Sequence, residues 1–231
     1  MNPLLGVFLH GIGGFASASF YVPIKFVKKW RWEVAWIAMG IVAWLLTPMI
    51  VATITMPSWP QAIAQTDSHI LLLTALFGGM WGFGNVAYGL TMRYLGLGLG
   101  VAVALGTCAI FGTLIPPIVS GTFLDIFTTT GGLIVMTGVV IGVLGIIING
   151  LAGVMKEREC ARVDSLPEFN LKKGLAVAIF CGLFSAGFSF SLSIGSPIAE
   201  VAKAIAVDTG ALAPDSADFF KNNAVLVVTL W

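Results

Sequence analysis

Long apolar runs alternate with short polar breaks along the whole chain, and this alternation predicts the architecture. Runs of mostly apolar residues cover about 3–24, 33–55, 69–92, 97–119, 132–153 and 172–195. Each is as long as the ~20 residues that a helix needs to cross a hydrocarbon layer of ~30 Å. A seventh run begins near Asn223 and halts at Trp231, within VLVVTLW, well short of that length. The pattern predicts an all-α integral membrane protein with about six full transmembrane helices and part of a seventh. Trp30, Trp32, Trp59 and Tyr94 sit at run ends, where amphipathic rings prefer the membrane interface.

Composition strengthens this reading. The 231 residues are 58% hydrophobic and only 10% charged, with a mean hydropathy of +0.97, whereas a soluble domain carries about 45–50% apolar and about 25% charged residues. A net charge of +1 without a concentrated basic surface excludes nucleic acid as a partner. The lipid bilayer is the partner that this composition requires. The three cysteines, Cys108, Cys160 and Cys181, have neither disulfide-framework nor metal-ligand spacing, and no metal is expected. The first run ends in an Ala-Ser-Ala triplet, but no Lys or Arg precedes it. It therefore reads as a retained span and not as a cleaved leader.

Charge placement sets the expected orientation. Of the 12 Lys and Arg, all but Lys203 and Lys221 fall near residues 25–31, at Arg93, or within 154–173, the connections after spans one, three and five. The positive-inside rule puts these connections in the cytoplasm and the N-terminus in the periplasm. PSWPQAIAQTDSH (57–69), without a cation, belongs on the opposite side. The chain also carries a faint internal repeat. With Gly6 set against Gly174, GGFASASF (13–20) falls on CGLFSAGF (181–188), matching Gly14 with Gly182, Ser17 with Ser185, Ala18 with Ala186 and Phe20 with Phe188. The copies lie five spans apart, so the second crosses in the opposite direction, as inverted-topology repeats do.

Polar groups inside the spans mark the candidate chemistry, because hydrocarbon cannot hydrate them and each needs a partner. Trp81, Asn85 and Tyr88 share one face of span three, which ends at Arg93. His10 and Ser17 lie on one face of span one, continued by Tyr21 and Lys25, and span six offers Cys181, Ser185 and Ser189. Aromatic rings lie well against the C–H faces of a sugar, and amides and hydroxyls bond its hydroxyl groups. Trp81, Asn85, Tyr88, Tyr21, Ser17 and Ser185 thus suit an uncharged, hydroxyl-rich substrate. Two readings stand for the serines, which can also bond back to the carbonyl one turn earlier, and for Trp81, which can also face lipid. Lys25 and Arg93 sit at the cytoplasmic mouth as gate or anchor. No Asp or Glu lies well inside any span, which leaves His10, whose side chain type changes charge nearest neutral pH, as the candidate coupling proton site. Stripes of small residues, such as Gly78 with Gly82, Gly96 with Gly100, and Gly131, Gly138, Gly142, Gly145 and Asn149, predict close helix packing.

GGMWGFGNVAYGLTMRYLG (78–96) resembles the third transmembrane segment of bacterial L-rhamnose/proton symporters, a branch of the drug/metabolite transporter superfamily. FASASFYVPIKFVKKWRWE, GTLIPPIVSG and EFNLKKGL carry the resemblance over nearly the whole chain. It implies an inverted five-helix repeat transporter fold: a first repeat over 1–153, a cytoplasmic loop over 154–171, and the start of a second, truncated repeat over 172–231. It further implies L-rhamnose import across the bacterial inner membrane by proton symport through alternating access. Sodium is not excluded as coupling ion, and no other cofactor is implied. The alternative within the superfamily is an exporter of drugs or metabolites, which would favour a more aromatic cavity. A membrane enzyme lacks support: the chain has no HExxH, no paired intramembrane acids and no phosphate-cradling loop.

Overall fold

Where no water reaches the backbone, a helix satisfies every N–H and C=O within its own segment, and all six apolar runs take that form. The computed structural model describes residues 3–160 and 169–231, and every regular element among them is helical. The six helices long and apolar enough to cross a membrane are Leu4–Ile24, Trp32–Thr55, Ser68–Leu95, Leu97–Val119, Thr130–Gly153 and Leu171–Ile194, within a few residues of the runs read from the sequence. The chain divides into two units, Met1–Ala43 and Trp44–Trp231.

In the first unit, α1 (Pro3–Ser19) gives way at Phe20 to a 3₁₀ turn over Val22–Phe26. Pro23 sits at the start of that turn, where its fixed φ suits the geometry and its missing N–H costs nothing. α2 (Trp32–Gly40) follows, and Trp32 stacks on Trp36 with centroids 5.5 Å apart and planes at 14°. The second span then passes through a π-helical segment, Ile41–Leu46, within which the unit boundary falls.

The second unit contains α3 (Thr47–Thr55), α4 (Trp59–Gln65), α5 (Ser68–Leu95), α6 (Leu97–Val119), α7 (Thr130–Cys160), α8 (Leu171–Ile194), α9 (Ser196–Asp208), α10 (Pro214–Phe220) and α11 (Asn222–Leu230). Its spine is the crossing of α5, α6 and α8. Gly84 of α5 lies so close to α8 that an added Cβ would sit 3.1 Å from the Ser185 backbone nitrogen and 3.2 Å from the Cys181 carbonyl oxygen. Gly182 of α8 meets α6 in the same way, 2.7 Å from Phe111 Cδ2 and 2.8 Å from the Thr107 backbone. Lipid offers no hydrophobic drive for helix association, so close backbone approach and interhelical bonds hold such a seam. Thr107 Oγ1 provides one of those bonds, donating to the Ala178 carbonyl at 2.8 Å.

Helix starts are set by local caps. Asp67 accepts from the His69 N–H at 2.8 Å and opens α5; Asn170 accepts from the Lys173 N–H at 3.0 Å and opens α8. The two cation-bearing connections meet at one end of the unit. The Asn170 N–H donates to the Tyr94 carbonyl at 3.1 Å, and Lys173 Nζ lies 4.3 Å from the Tyr94 ring centroid. At the other end, stretches without transmembrane length fold into a cap. Met56, Ala62, Ile198, Ala199, Ala202, Ala206, Ala217, Ala224 and Val225 form its buried core. The Ser58 hydroxyl donates to the Ala202 carbonyl at 2.7 Å. Lys203 and Lys221, the two cations outside the alternation, bridge Asp218 at 2.6 and 3.1 Å, and Lys221 also bridges Glu200 at 2.7 Å.

Two expectations of packing come out differently. A Cβ at Gly131, Gly138, Gly142 or Gly145 on α7 would meet open space, so this glycine stripe is not a seam among the described residues. Asn149 on the same stripe bonds back to the Gly145 carbonyl at 2.9 Å, one turn earlier. The expected loop 154–171 starts as helix, because α7 continues through Cys160; residues 161–168 of that loop lie outside the described residues.

Candidate functional site

The face of α5 predicted from the sequence turns towards α8. Trp81 is half-buried between two aromatic neighbours, with Trp44 edge-on at 5.2 Å and 85°, and Phe188 of α8 at 5.4 Å and 47°. It is therefore part of an aromatic wall between helices. Tyr88, two turns along, is buried. Asn85 lies between them, beside Gly84 and hence beside a close approach of α5 to α8.

Asn85 is the least satisfied of these groups. Its Nδ2 is buried and finds no hydrogen-bond partner among the described residues. Leaving a buried donor unpaired costs about 1–3 kcal/mol. The Thr74 hydroxyl oxygen is the other such described atom whose cluster is plain. It lies at the cap end, where Ser191 donates to the Thr74 carbonyl at 2.7 Å and pairs with the Thr229 hydroxyl at 2.8 Å. That cluster is sealed, with Thr74 and Ser191 fully buried. Asn85 instead sits half-buried in the aromatic part of the seam.

Ser185 turns its hydroxyl to two cysteine thiols and not to the carbonyl one turn earlier. Its hydroxyl accepts from the Cys108 thiol of α6 at 3.1 Å and lies 4.0 Å from Cys181 Sγ. Two cysteines without any pairing signal in their spacing are 3.6 Å apart across α6 and α8. Only the packing of Gly182 against Thr107, one residue away from each thiol, makes that meeting necessary, and no sequence spacing announces it. Trp44 and Phe188 also escaped the sequence reading, because each looks like an ordinary apolar residue in an apolar run.

The remaining candidates belong to the first unit. Ser17 and His10 are exposed on α1. Tyr21 is buried, and its hydroxyl accepts from Trp32 Nε1 at 2.8 Å while its ring lies 5.9 Å from Trp36. Arg93, near the end of α5, is half-buried. The Lys25 side chain lies outside the described residues. An open groove of about 420 Å³ runs along α5 between Leu72, Leu76, Gly79, Phe83 and Phe184. Helical spacing places these α5 residues opposite Trp81, Asn85 and Tyr88. Its walls are apolar, so it offers nothing to a hydroxyl-bearing ligand and stands apart from the polar face.

The family model described as L-rhamnose-proton symport protein matches residues 2–228. A protein of Mannheimia succiniciproducens named L-rhamnose-proton symporter is 44% identical over 205 residues, 89% of this chain and 59% of that protein. Proteins of the same name from Escherichia coli (strain Crooks) and Shigella dysenteriae serotype 1 are each 43% identical over 204 residues, 88% of this chain and 59% of theirs. The chain thus spans about 59% of the length of these relatives. No solved structure matches. With a family match from end to end and six helices of membrane-crossing length, the chain belongs to the L-rhamnose-proton symport protein family of bacterial multi-pass membrane proteins.

Proposed function

We propose that the chain forms the larger part of a proton-coupled importer of L-rhamnose in the bacterial inner membrane, with its N-terminus in the periplasm. The observation that carries the reading is Asn85: a buried amide donor without a partner among the described residues, flanked by Trp81 and Tyr88 on a mostly apolar helix. A sugar hydroxyl arriving there gains a hydrogen bond that the empty site lacks, and its C–H face finds the Trp81 ring. Ser185 supplies a second hydroxyl from α8. The rings of Trp44, Trp81 and Phe188 give that C–H face an apolar wall.

His10 takes the coupling proton in this reading, and Lys25 and Arg93 guard the cytoplasmic mouth. One proton moving with an uncharged sugar down 100 mV releases about 2.3 kcal/mol, enough for about 50-fold accumulation. Two inverted five-helix halves alternate access: residues 1–153 form the first, 154–171 link them, and 172–231 begin the second. Support comes from the family match and from the paired segments 13–20 and 181–188.

The test is uptake of labelled L-rhamnose into proteoliposomes under an imposed pH gradient. Asn85→Ala should raise the half-saturation concentration about tenfold, the cost of one lost hydrogen bond. His10→Ala should abolish accumulation and spare exchange of sugar for sugar. Accumulation driven by a sodium gradient alone, or an unchanged half-saturation in Asn85→Ala, overturns the reading.

A further inference from the structure

The α6–α8 seam brings two thiols that sugar transport does not require up to the Ser185 hydroxyl assigned above to the sugar. Cys108 Sγ, Cys181 Sγ and Ser185 Oγ form a triangle with edges of 3.6 Å between the sulfurs, and of 3.1 and 4.0 Å from each sulfur to the hydroxyl. A tetrahedral ion with metal–sulfur bonds of ~2.3 Å and a metal–oxygen bond of ~2.1 Å places its ligands about 3.8 Å apart between sulfurs and about 3.6 Å between sulfur and oxygen. Each observed edge is within about half an ångström of that triangle, a difference that side-chain rotation absorbs. Two thiols select a soft d10 ion over magnesium, calcium or sodium.

We propose that Cys108, Cys181 and Ser185 form a chelating site for a thiophilic divalent cation of the zinc and cadmium class. Among the described residues no three His, Cys, Asp or Glu side chains gather in one place; here a hydroxyl takes the third position. Cys181 is buried and Cys108 half-buried, so Cys108 is the more accessible of the two thiols. Binding replaces both thiol protons: one M²⁺ joins two S–H groups, two M–S bonds form, and two protons leave. The bound ion fastens α6 to α8 at the level of Ser185, so cation and sugar compete for that hydroxyl. The site stands on its own geometry and does not depend on the substrate proposed above.

Cadmium titration of the purified chain in detergent tests it, read by thiolate-to-cadmium charge-transfer absorbance. One equivalent should bind in the parent and in C160S, which removes the chain's third thiol. Cys108→Ser and Cys181→Ser should each weaken binding at least about tenfold. Ser185→Cys, which adds a third thiolate, should tighten binding at least about tenfold, an outcome that loss of folding cannot imitate. Unchanged absorbance in Cys108→Ser or Cys181→Ser, its loss in C160S, or no gain in Ser185→Cys overturns the site.

Discussion

An amide kept for a ligand should cost stability when the ligand is absent, and Asn85 puts this to a quantitative test. Its Nδ2 is buried without a partner among the described residues, a penalty of about 1–3 kcal/mol. Asn85→Leu keeps the branched shape and removes the donor. The variant should therefore be more stable than the parent, by a few degrees of Tm at about 2–4 °C per kcal/mol for a chain of this size. The same change should blunt stabilisation by sugar. At a concentration 100 times Kd, a ligand adds about 2.7 kcal/mol; with binding tenfold weaker, the same concentration adds about 1.4 kcal/mol. The assay is thermal unfolding in detergent with and without L-rhamnose. A lowered Tm in Asn85→Leu would show that the amide is a structural bond, and the argument from its missing partner would fail. A raised Tm with full protection by sugar would remove Asn85 from the sugar path.

The packing and the cap yield three further expectations. Gly182→Ala places a Cβ 2.7 Å from Phe111 and 2.8 Å from the Thr107 backbone and should cost about 1–3 kcal/mol, whereas Gly138→Ala, which meets open space, should leave Tm unchanged or raise it slightly. Thr107→Val removes the bond to the Ala178 carbonyl and should cost about 0.6–1.7 kcal/mol in the same unfolding assay. At the cap, the hydrogen bond from Lys203, joined by Lys221, holds the Asp218 carboxyl below its ordinary range, and Glu200, joined by Asp218, raises Lys221. A lowered carboxyl stabilises the fold above its ordinary pKa and loses that contribution as pH falls through the lowered value. A raised ammonium contributes below its ordinary pKa and loses that contribution as pH climbs through the raised value. The protection factors of amides in 196–220, with the intrinsic pH dependence of exchange divided out, should therefore be flat between about pH 5 and 9 and fall below about pH 4. Protection that already falls between pH 6 and 8 would mean that another group controls the cap.

The spans were legible because length and apolarity suffice for them: a run of ~20 such residues has one low-energy form in hydrocarbon. The caps were legible in part. His69 was expected at a span boundary, and Asp67 accepting from its N–H is why the helix starts there. The cap helices α4, α9 and α10 were not legible, since their Ala-rich buried faces carry weak apolar signals. Ala199, Ala202 and Ala206 are buried together on α9, yet alanine reads alike in a loop and a core. The α7 stripe misled because glycine spacing says that a close approach is allowed, not which helix takes it. The cysteine pair shows the same gap from the other side, since residues 73 apart in sequence meet only when the α6–α8 crossing is known.

The α5–α8 pair is fastened differently at its two ends, and that bears on how a transporter built on it would open. At the cap end, Ser191 bonds both the Thr74 carbonyl and the Thr229 hydroxyl in full burial, beside an apolar core. Separating the helices there exposes buried donors at about 1–3 kcal/mol each as well as apolar area. At the other end the ties are one backbone hydrogen bond from Asn170 to Tyr94 and the Lys173 ammonium over the Tyr94 ring, worth about 1 kcal/mol each where water competes. Between the ends, Gly84 leaves a smooth backbone surface with no side chain to unlock. Rocking of the pair would therefore break the Tyr94 end first and pivot on the cap. Arg93 sits at that end. In the function proposed above, the buried Asn85 amide at mid-helix, a stiff closure on one side and a weak one on the other make an asymmetric gate, in which a sugar bridging α5 and α8 at Asn85 and Ser185 replaces the bonds lost at the weak end.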